Sequence, residues 1–380
     1  MPRKELLMRF SCDRTVLNEI LNIVQKAASP KSTIPALEGI MLEAWNDGRI
    51  AFSAYDLSIS ISYDLLADDV EEGRVILSSR LFGEIVRKLP GGTVTVDIDN
   101  KTYLTTIECG NAHFTITGMD PDNFPDLPEV LGQDGVVLTY SDFKDMVRQT
   151  IFAVSVTDLK PILTGVLFEL NRDEGTVSAV AVDNFRLAIR KVPFVQVHGG
   201  FNKVVIPSRA LNELLKILPD SETETIEIFN SKNFVSFRYG QVQMTSRLLE
   251  GEFLDYKAAV PKEYNFRVKV EVRELARVIE RASLMANSTI ISPIRCNFDF
   301  DRIDISTASN LGSFNDSVAV EPFSNKMVIG FNYKYMLAAL NACDDDEIYI
   351  ELQSNLTPII LRPVDHDDYL FLVLPLRMKE

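Results

Sequence analysis

Three stretches of this 380-residue chain resemble one another, and no other feature constrains the fold as much. Residues 75–90 read VILSSRLFGEIVRKLP, residues 204–219 read VVIPSRALNELLKILP, and residues 327–340 read MVIGFNYKYMLAAL. Self-similarity at a long period means that the chain is built from copies of one unit. The first two copies hold register: Ser79 and Ser208, Arg80 and Arg209, and Pro90 and Pro219 are each 129 residues apart. Apolar residues at 81, 82, 85, 86 and 89 recur as Ala210, Leu211, Leu214, Leu215 and Leu218, one stripe of an amphipathic helix. Ser79 and Ser208 stand where an N-cap would. In the third copy Tyr333, Met336, Leu337 and Leu340 keep the stripe, while Asn332 breaks it.

A second element repeats at the same offset. DNFPDLPEV at 122–130 matches GEFLDYKAAV at 251–260, with Phe124 and Phe253 again 129 apart. Each copy opens on a helix-like run, at 13–28, 141–155 and 271–286. Between the two helices of a copy lie alternating, β-branched runs such as GIMLEAW, RIAFSAYDLSISISYDL, TVSAVAV and CNFDFDRIDIS, the pattern of half-buried strands. The expected class is α+β, with each copy reading helix, strands, helix, strands. The polar connectors PEVLGQDG and PKEYNF place three domains at 1–129, 130–262 and 263–380. Residues 1–7, ahead of Met8, read as a disordered extension.

The formal charge is −15, which by itself argues against nucleic acid. Its distribution points the other way. The six helical windows hold 13 Lys and Arg against 9 Asp and Glu, and the rest of the chain holds 26 against 45. Signals for chemistry are thin. The four cysteines form no C-x-x-C, so neither a zinc site nor a disulfide framework is indicated. No H-E-x-x-H, G-x-S-x-G, G-x-G-x-x-G or P-loop is present. Ser141-Asp-Phe-Lys144 fits S-x-x-K without its companion motifs and reads as a helix N-cap. The DDDE at 344–347 and the DHDD at 365–368 read as solvated acidic turns. An apolar run long enough for a membrane span is also missing, and a cytoplasmic protein is expected.

Four blocks in order carry a family resemblance over nearly the whole chain. VDNFRLA at 182–188, SRLLEGEFLDYKAAVP at 246–261, MVIGFNYKYMLAAL at 327–340 and the closing LPLR resemble the signatures of the bacterial DNA polymerase III beta subunits, the sliding clamps. That resemblance implies a ring of two chains joined head to tail around duplex DNA, with helices lining the hole. Helices about 10 Å across make this sensible: twelve of them enclose a hole of about 28 Å, six leave about 9 Å and eighteen about 47 Å. B-DNA, about 20 Å wide, fits the first. The implied mechanism is topological, with no cofactor, metal or catalytic residue. Phosphate contacts carry no sequence information, so a weakly basic lining slides.

The resemblance also implies site residues. For DNA, the basic helix positions are Arg14, Arg80, Arg87, Lys88, Lys144, Arg148, Arg209, Lys216, Arg273, Arg277, Arg281 and Lys334, joined by Lys31 and Lys160 on loops. For short apolar and aromatic motifs of the replicative polymerase, clamp loader and repair proteins, a pocket between the second and third domains is implied. Its second-domain residues are Leu163, Val182, Asn184, Phe185, Arg186, Leu187, Leu254, Ala258 and Ala259. Its third-domain residues are Asn332, Tyr335, Leu356, Pro358, Leu372, Leu374, Pro375, Leu376 and Arg377. Phe114, Leu284 and Met285 fall at the implied ring interface.

Four departures touch the pocket. Val182 stands for the usual Thr, Asn184 for Gly or Ser, Phe185 for His and Leu254 for Pro, which makes the site more apolar. On the residues alone, the repeats also suit a protein-interaction scaffold without DNA, and an enzyme built on the repeat is a third reading.

Overall fold

The computed structural model describes residues 7–157, 159–201, 203–286, 293–310, 312–323 and 326–378. The expected extension at 1–7 lies outside them, except Leu7, which begins a strand. Each described helix buries one stripe. They are α1 (Arg14–Val24), α2 (Ser79–Lys88), α3 (Tyr140–Ile151), α4 (Ser208–Ile217), α5 (Val272–Ser283) and α6 (Tyr333–Leu340). α2 buries Phe82, Ile85 and Val86, and α4 buries Ala210, Leu211, Leu214 and Ile217.

Several local expectations need correction. The cap of α2 is Ser78, whose hydroxyl accepts from the Leu81 amide, while Ser79 is the first helical residue and is buried. The residue 129 later, Pro207, ends a strand and has no hydroxyl to offer, so the copies do not share a cap. Ser141 is not a cap either, because α3 already begins at Tyr140. Leu81 is 45% exposed, unlike buried Ala210 at the same place in the second copy. Asn332 breaks the stripe because it stands outside α6 and caps it, accepting from the Lys334 amide at 3.0 Å.

The run at 49–65 forms a hairpin of two strands. Arg49–Tyr55 turns at Leu57 (φ 72°) into Ile59–Leu66, and Asp56 Oδ1 accepts from the Ser58 and Ile59 amides. Residues 296–306 likewise split into Ile294–Asp299 and Arg302–Ser309.

The chain forms two compact units. One comprises Met1–Tyr140, Val195–Phe201 and Ala210–Leu248. It holds an antiparallel five-stranded sheet, running 68–71, 7–13, 93–99, 104–109 and 112–117. Its second sheet has nine strands, in the order 196–198, 135–139, 225–230, 234–239, 242–247, 59–66, 49–55, 39–44 and 73–78. The other unit comprises Ser141–Phe194, Asn202–Arg209 and Leu249–Glu380. It holds an eight-stranded sheet, running 204–207, 165–171, 176–182, 186–193, 369–373, 359–363, 347–352 and 266–271. A four-stranded sheet, in the order 312–319, 302–309, 294–299 and 327–331, completes it.

Successive copies are therefore sewn together by strands. In the first unit Ile59–Leu66 pairs antiparallel with Val242–Arg247, setting Ser60 against Thr245. In the second unit Arg186–Pro193 pairs antiparallel with Tyr369–Val373, setting Leu187 against Leu372. Adding 127 to both members of the first pair produces the second, so the two junctions are one arrangement made twice.

Candidate functional site

The second junction gathers many of the pocket residues. Asp183 organises it, and sequence reasoning passed over this residue. Its Oδ1 accepts from the Phe185 amide at 2.7 Å and the Arg186 amide at 3.0 Å, and its Oδ2 accepts from Arg186 Nε at 3.0 Å. Short side-chain-to-backbone bonds of this kind fix a tight turn. The turn presents Phe185, 45% exposed, while both side chains of the Asp183–Arg186 ion pair are largely buried. The signal available in the sequence was the Asp56 turn of the first copy, 127 residues earlier.

From this turn the aromatic groups assemble. Phe185 stacks on Tyr335 with ring centroids 5.5 Å apart and planes at 15°. The Arg186 guanidinium lies 4.8 Å from the Tyr335 ring centre and 5.8 Å from that of Phe152. Offset stacking and cation–π contact both hold rings at such distances. Burial, aided by nearby Asp183, raises the Tyr335 hydroxyl pKa, so it stays a neutral donor.

Beneath the rings Leu163, Val182, Leu187 and Leu372 are buried in one apolar cluster with Phe253, Tyr256 and Ile360, and Leu374 packs against it. The C-terminal tail is tied on both sides: the Leu374 amide donates to Phe185 O and the Leu376 amide to Gly330 O, each at 2.8 Å. Pro375 and Leu376 are half-buried and Arg377 is exposed. The tail passes so close to Gly330 that an added Cβ would lie 2.8 Å from Met378 Cγ.

Asn184, Leu254, Ala258, Ala259 and Leu356 are exposed, and Pro358 is half-buried ahead of strand Ile359–Pro363. Leu254, Ala258 and Ala259 belong to the segment whose Phe253 and Tyr256 enter the cluster. An apolar floor, an exposed aromatic and a guanidinium suit a short apolar peptide.

Most of the basic positions are exposed: Arg87, Lys88, Arg277, Lys31, Lys160, Arg209 and Lys334, and also Arg80, Arg148, Lys216, Arg273 and Arg281, while Lys144 is half-buried. Several of them pair with neighbours. Arg14 donates to the Val86 and Arg87 carbonyls at the end of α2. Arg80 pairs with Glu84, Lys216 with Glu213 and Arg273 with Asp346. Arg281 reaches Asp316 at 2.5 Å, and Arg148 reaches Asp344 at 2.6 Å and Asp145 at 3.1 Å. Burial opposes the Arg148 charge, but these carboxylates outweigh it and raise its pKa.

Of the interface residues, Phe114 is 39% exposed on strand Ala112–Thr117 and Leu284 is 71% exposed just after α5, with Met285 half-buried beside it. Among the described residues, no group of three His, Cys, Asp or Glu side chains could hold a metal, and no helix is long and apolar enough to cross a membrane. Burial pushes the thiols of Cys12 and Cys343 up to about 12 and raises Cys296, so none of these three is a ready thiolate.

Known proteins show the same construction. Three family models match in tandem: the DNA polymerase III beta subunit N-terminal domain over residues 8–128, its central domain over 137–255 and its C-terminal domain over 257–377. The "Beta sliding clamp" of Staphylococcus epidermidis is 35% identical over 98% of this chain and all of its own length. The crystal structure of the DNA polymerase sliding clamp from Bacillus subtilis superposes with a TM-score of 0.92 at 32% identity, covering 98% of this chain and 100% of that one. A putative DNA polymerase III beta subunit from Eubacterium rectale gives 0.91 at 30% identity, covering 97% and 99%. With three tandem domains of helix on sheet and kinship along its whole length, the chain belongs to the bacterial DNA polymerase III beta subunit family, the sliding clamps.

Proposed function

We propose that two copies of this chain close into a ring that encircles duplex DNA and tethers the replicative polymerase to it. One observation carries the reading. Each junction joins the last strand of a hairpin in one copy to a hairpin strand of another, and one such partnership is left over. Strand Ala112–Thr117 ends the hairpin that turns at Gly110 (φ 57°), as Val242–Arg247 ends the hairpin that turns at Gly240 (φ 51°). Strand Gly312–Ala319 follows Arg302–Ser309 as Arg186–Pro193 follows Thr176–Val182. Both leftover strands are sheet edges among the described residues. An open edge is a template for another chain. Two copies, each offering both edges head to tail, complete the third junction twice and leave neither of these two strands open. Phe114, Leu284 and Met285 belong to that contact in this reading. The copies are bounded at about residues 129 and 262.

The same reading assigns duplex DNA, without sequence preference, to the exposed lysines and arginines of the helices and of the loops at Lys31 and Lys160. Pairing of Arg148 and Arg281 with carboxylates limits how many phosphates are gripped at once, which suits sliding. The pocket around Phe185, Tyr335 and Leu372 takes apolar and aromatic motifs of polymerase, clamp loader and repair proteins. The protein acts by topology, as a processivity factor without catalysis of its own.

The test is retention on nicked circular DNA after loading by a clamp loader. Linearisation should release the protein. Equal retention on both forms would rule out a closed ring.

A further inference from the structure

One backbone contact recurs in all three copies and is filled differently in the third. Ile76, Val205 and Gly330 each stand three residues ahead of the copy's second helix, which begins at Ser79, Ser208 and Tyr333. Their carbonyl oxygens accept from the amide of a residue just past the copy's last strand: Met119 at 2.8 Å, Leu249 at 3.0 Å and Leu376 at 2.8 Å. In the first two copies this place holds a branched, buried side chain. Ile76 lies in a cluster with Phe124 packed against it, and Val205 lies in a cluster with Phe253. The third copy has no side chain there.

The backbone does not demand this glycine. Gly330 is not among the glycines of positive φ, and a glycine inside a strand weakens it unless another chain segment needs to come close. Here one does. A Cβ added at Gly330 would meet Met378 Cγ at 2.8 Å, Met378 Sδ at 3.1 Å and Leu376 O at 3.3 Å. Carbon atoms in contact settle about 3.5–4.0 Å apart, so any side chain at 330 would push Met378 aside. The tail is thus held at two points, by its Leu374 amide on Phe185 O and by Leu376 and Met378 on Gly330. Both points belong to elements that build the pocket. Phe185 stacks on Tyr335, and Gly330 lies on strand Met327–Phe331, which leads through the cap Asn332 into α6 and Tyr335.

We infer that Gly330 is a positioning residue for peptide binding. Its bare backbone is the seat in which Met378 locks the tail, and that seat sets where Leu374, Pro375 and Leu376 stand at the pocket. For its ligand the inference rests on the pocket reading. A side chain at this place is compatible with the strand, as Ile76 and Val205 show, but in the third copy it displaces the tail.

The experiment follows the Met378 methyl signal by NMR of the full chain and measures affinity for a Gln-Ala-Ala-Leu-Phe peptide by calorimetry. The proteins compared are the parent, Gly330→Ala, Met378→Ala and the double variant. Gly330→Ala should move the Met378 signal to the position of a free methionine side chain and weaken peptide binding about fivefold. Met378→Ala, a change at a half-buried tail position, should weaken binding by a similar factor. The double variant should be no worse than either single one, because both remove the same contact. An unmoved Met378 signal, undiminished affinity in either single variant, or losses that multiply in the double variant would overturn the inference. Binding by the parent tests the pocket reading separately. No binding by the parent sinks that reading, whereas binding that the variants leave unchanged sinks this one.

Discussion

The two strand junctions share a backbone and differ in what they expose. Both begin at an aspartate turn, Asp56 in one and Asp183 in the other, and both pair strands in the same register. In the first unit Ala36, Met41 and Ile76 form a buried outer cluster, with Met119 and Phe124 against it, beside strands 39–44 and 73–78 rather than on the junction strands. In the second unit a cluster of eleven buried residues reaches the junction itself, where Leu187, Leu370 and Leu372 replace Ser60, Gln243 and Thr245 and Ile189 packs against it from a half-buried position. Strand pairing alone is met by either set. Two amide ladders of equal length thus serve as a polar seam in one place and carry an apolar cluster in the other.

The contrast is broken most forcefully by truncation. Leu372→Ala should cost about 2–5 kcal/mol, because it leaves a cavity in a packed cluster. Thr245→Ala at the equivalent place should cost only about 0.5–1.5 kcal/mol. Denaturant unfolding of both variants checks this, and equal losses would mean that the first junction is as tightly packed as the second. The third, intermolecular junction should be next most sensitive. Phe114→Asp or Leu284→Lys should weaken self-association by about 2–4 kcal/mol, read as monomer appearing on dilution in sedimentation velocity. An unchanged dimer would place the contact elsewhere.

Leu376→Asp should lower affinity for a Gln-x-x-Leu-Phe peptide by about tenfold or more in calorimetry, with melting temperature barely moved, since its side chain is only half-buried. Equal binding to both proteins would detach the tail from the pocket.

The smallest effect separates Glu43 from Glu169. Glu43 makes one exposed pair with Arg74. Burial would raise the Glu169 carboxyl, but Tyr256, Lys257 and Lys203 outweigh it and hold the pKa below the usual glutamate range. A carboxyl depressed in the folded state adds stability above its unfolded pKa, about 4.3, and loses it as pH falls through the folded value. Being partly exposed, it should contribute less than about 1 kcal/mol. Glu169→Gln should therefore melt slightly below the parent at pH 7 and converge with it in acid. A gap that persists at low pH would assign the effect to packing.

Much of this was legible in the sequence. The repeat, its 129-residue offset and the amphipathic stripes named the helices, and alternation named the strands, because burial on one face imposes a period on residue type. Fine detail was less accessible. Ser79 looks like a cap, but the hydroxyl that caps α2 belongs to Ser78, and one residue of phase is invisible to a hydrophobic stripe. Val182, Phe185 and Leu372 could be named as pocket residues by resemblance, whereas Asp183, which aims the turn, could not be told from any other loop aspartate.

By itself the sequence determined the unit of construction and its threefold use, since like segments with like patterns fold alike. Only the tertiary structure decided which strands meet. Strand Arg186–Pro193 finds its neighbour about 180 residues away, whereas Ala112–Thr117 and Gly312–Ala319 each pair on one side only among the described residues. Edge pairing depends on backbone groups that every residue carries, so side-chain patterns announce a strand without naming its partner.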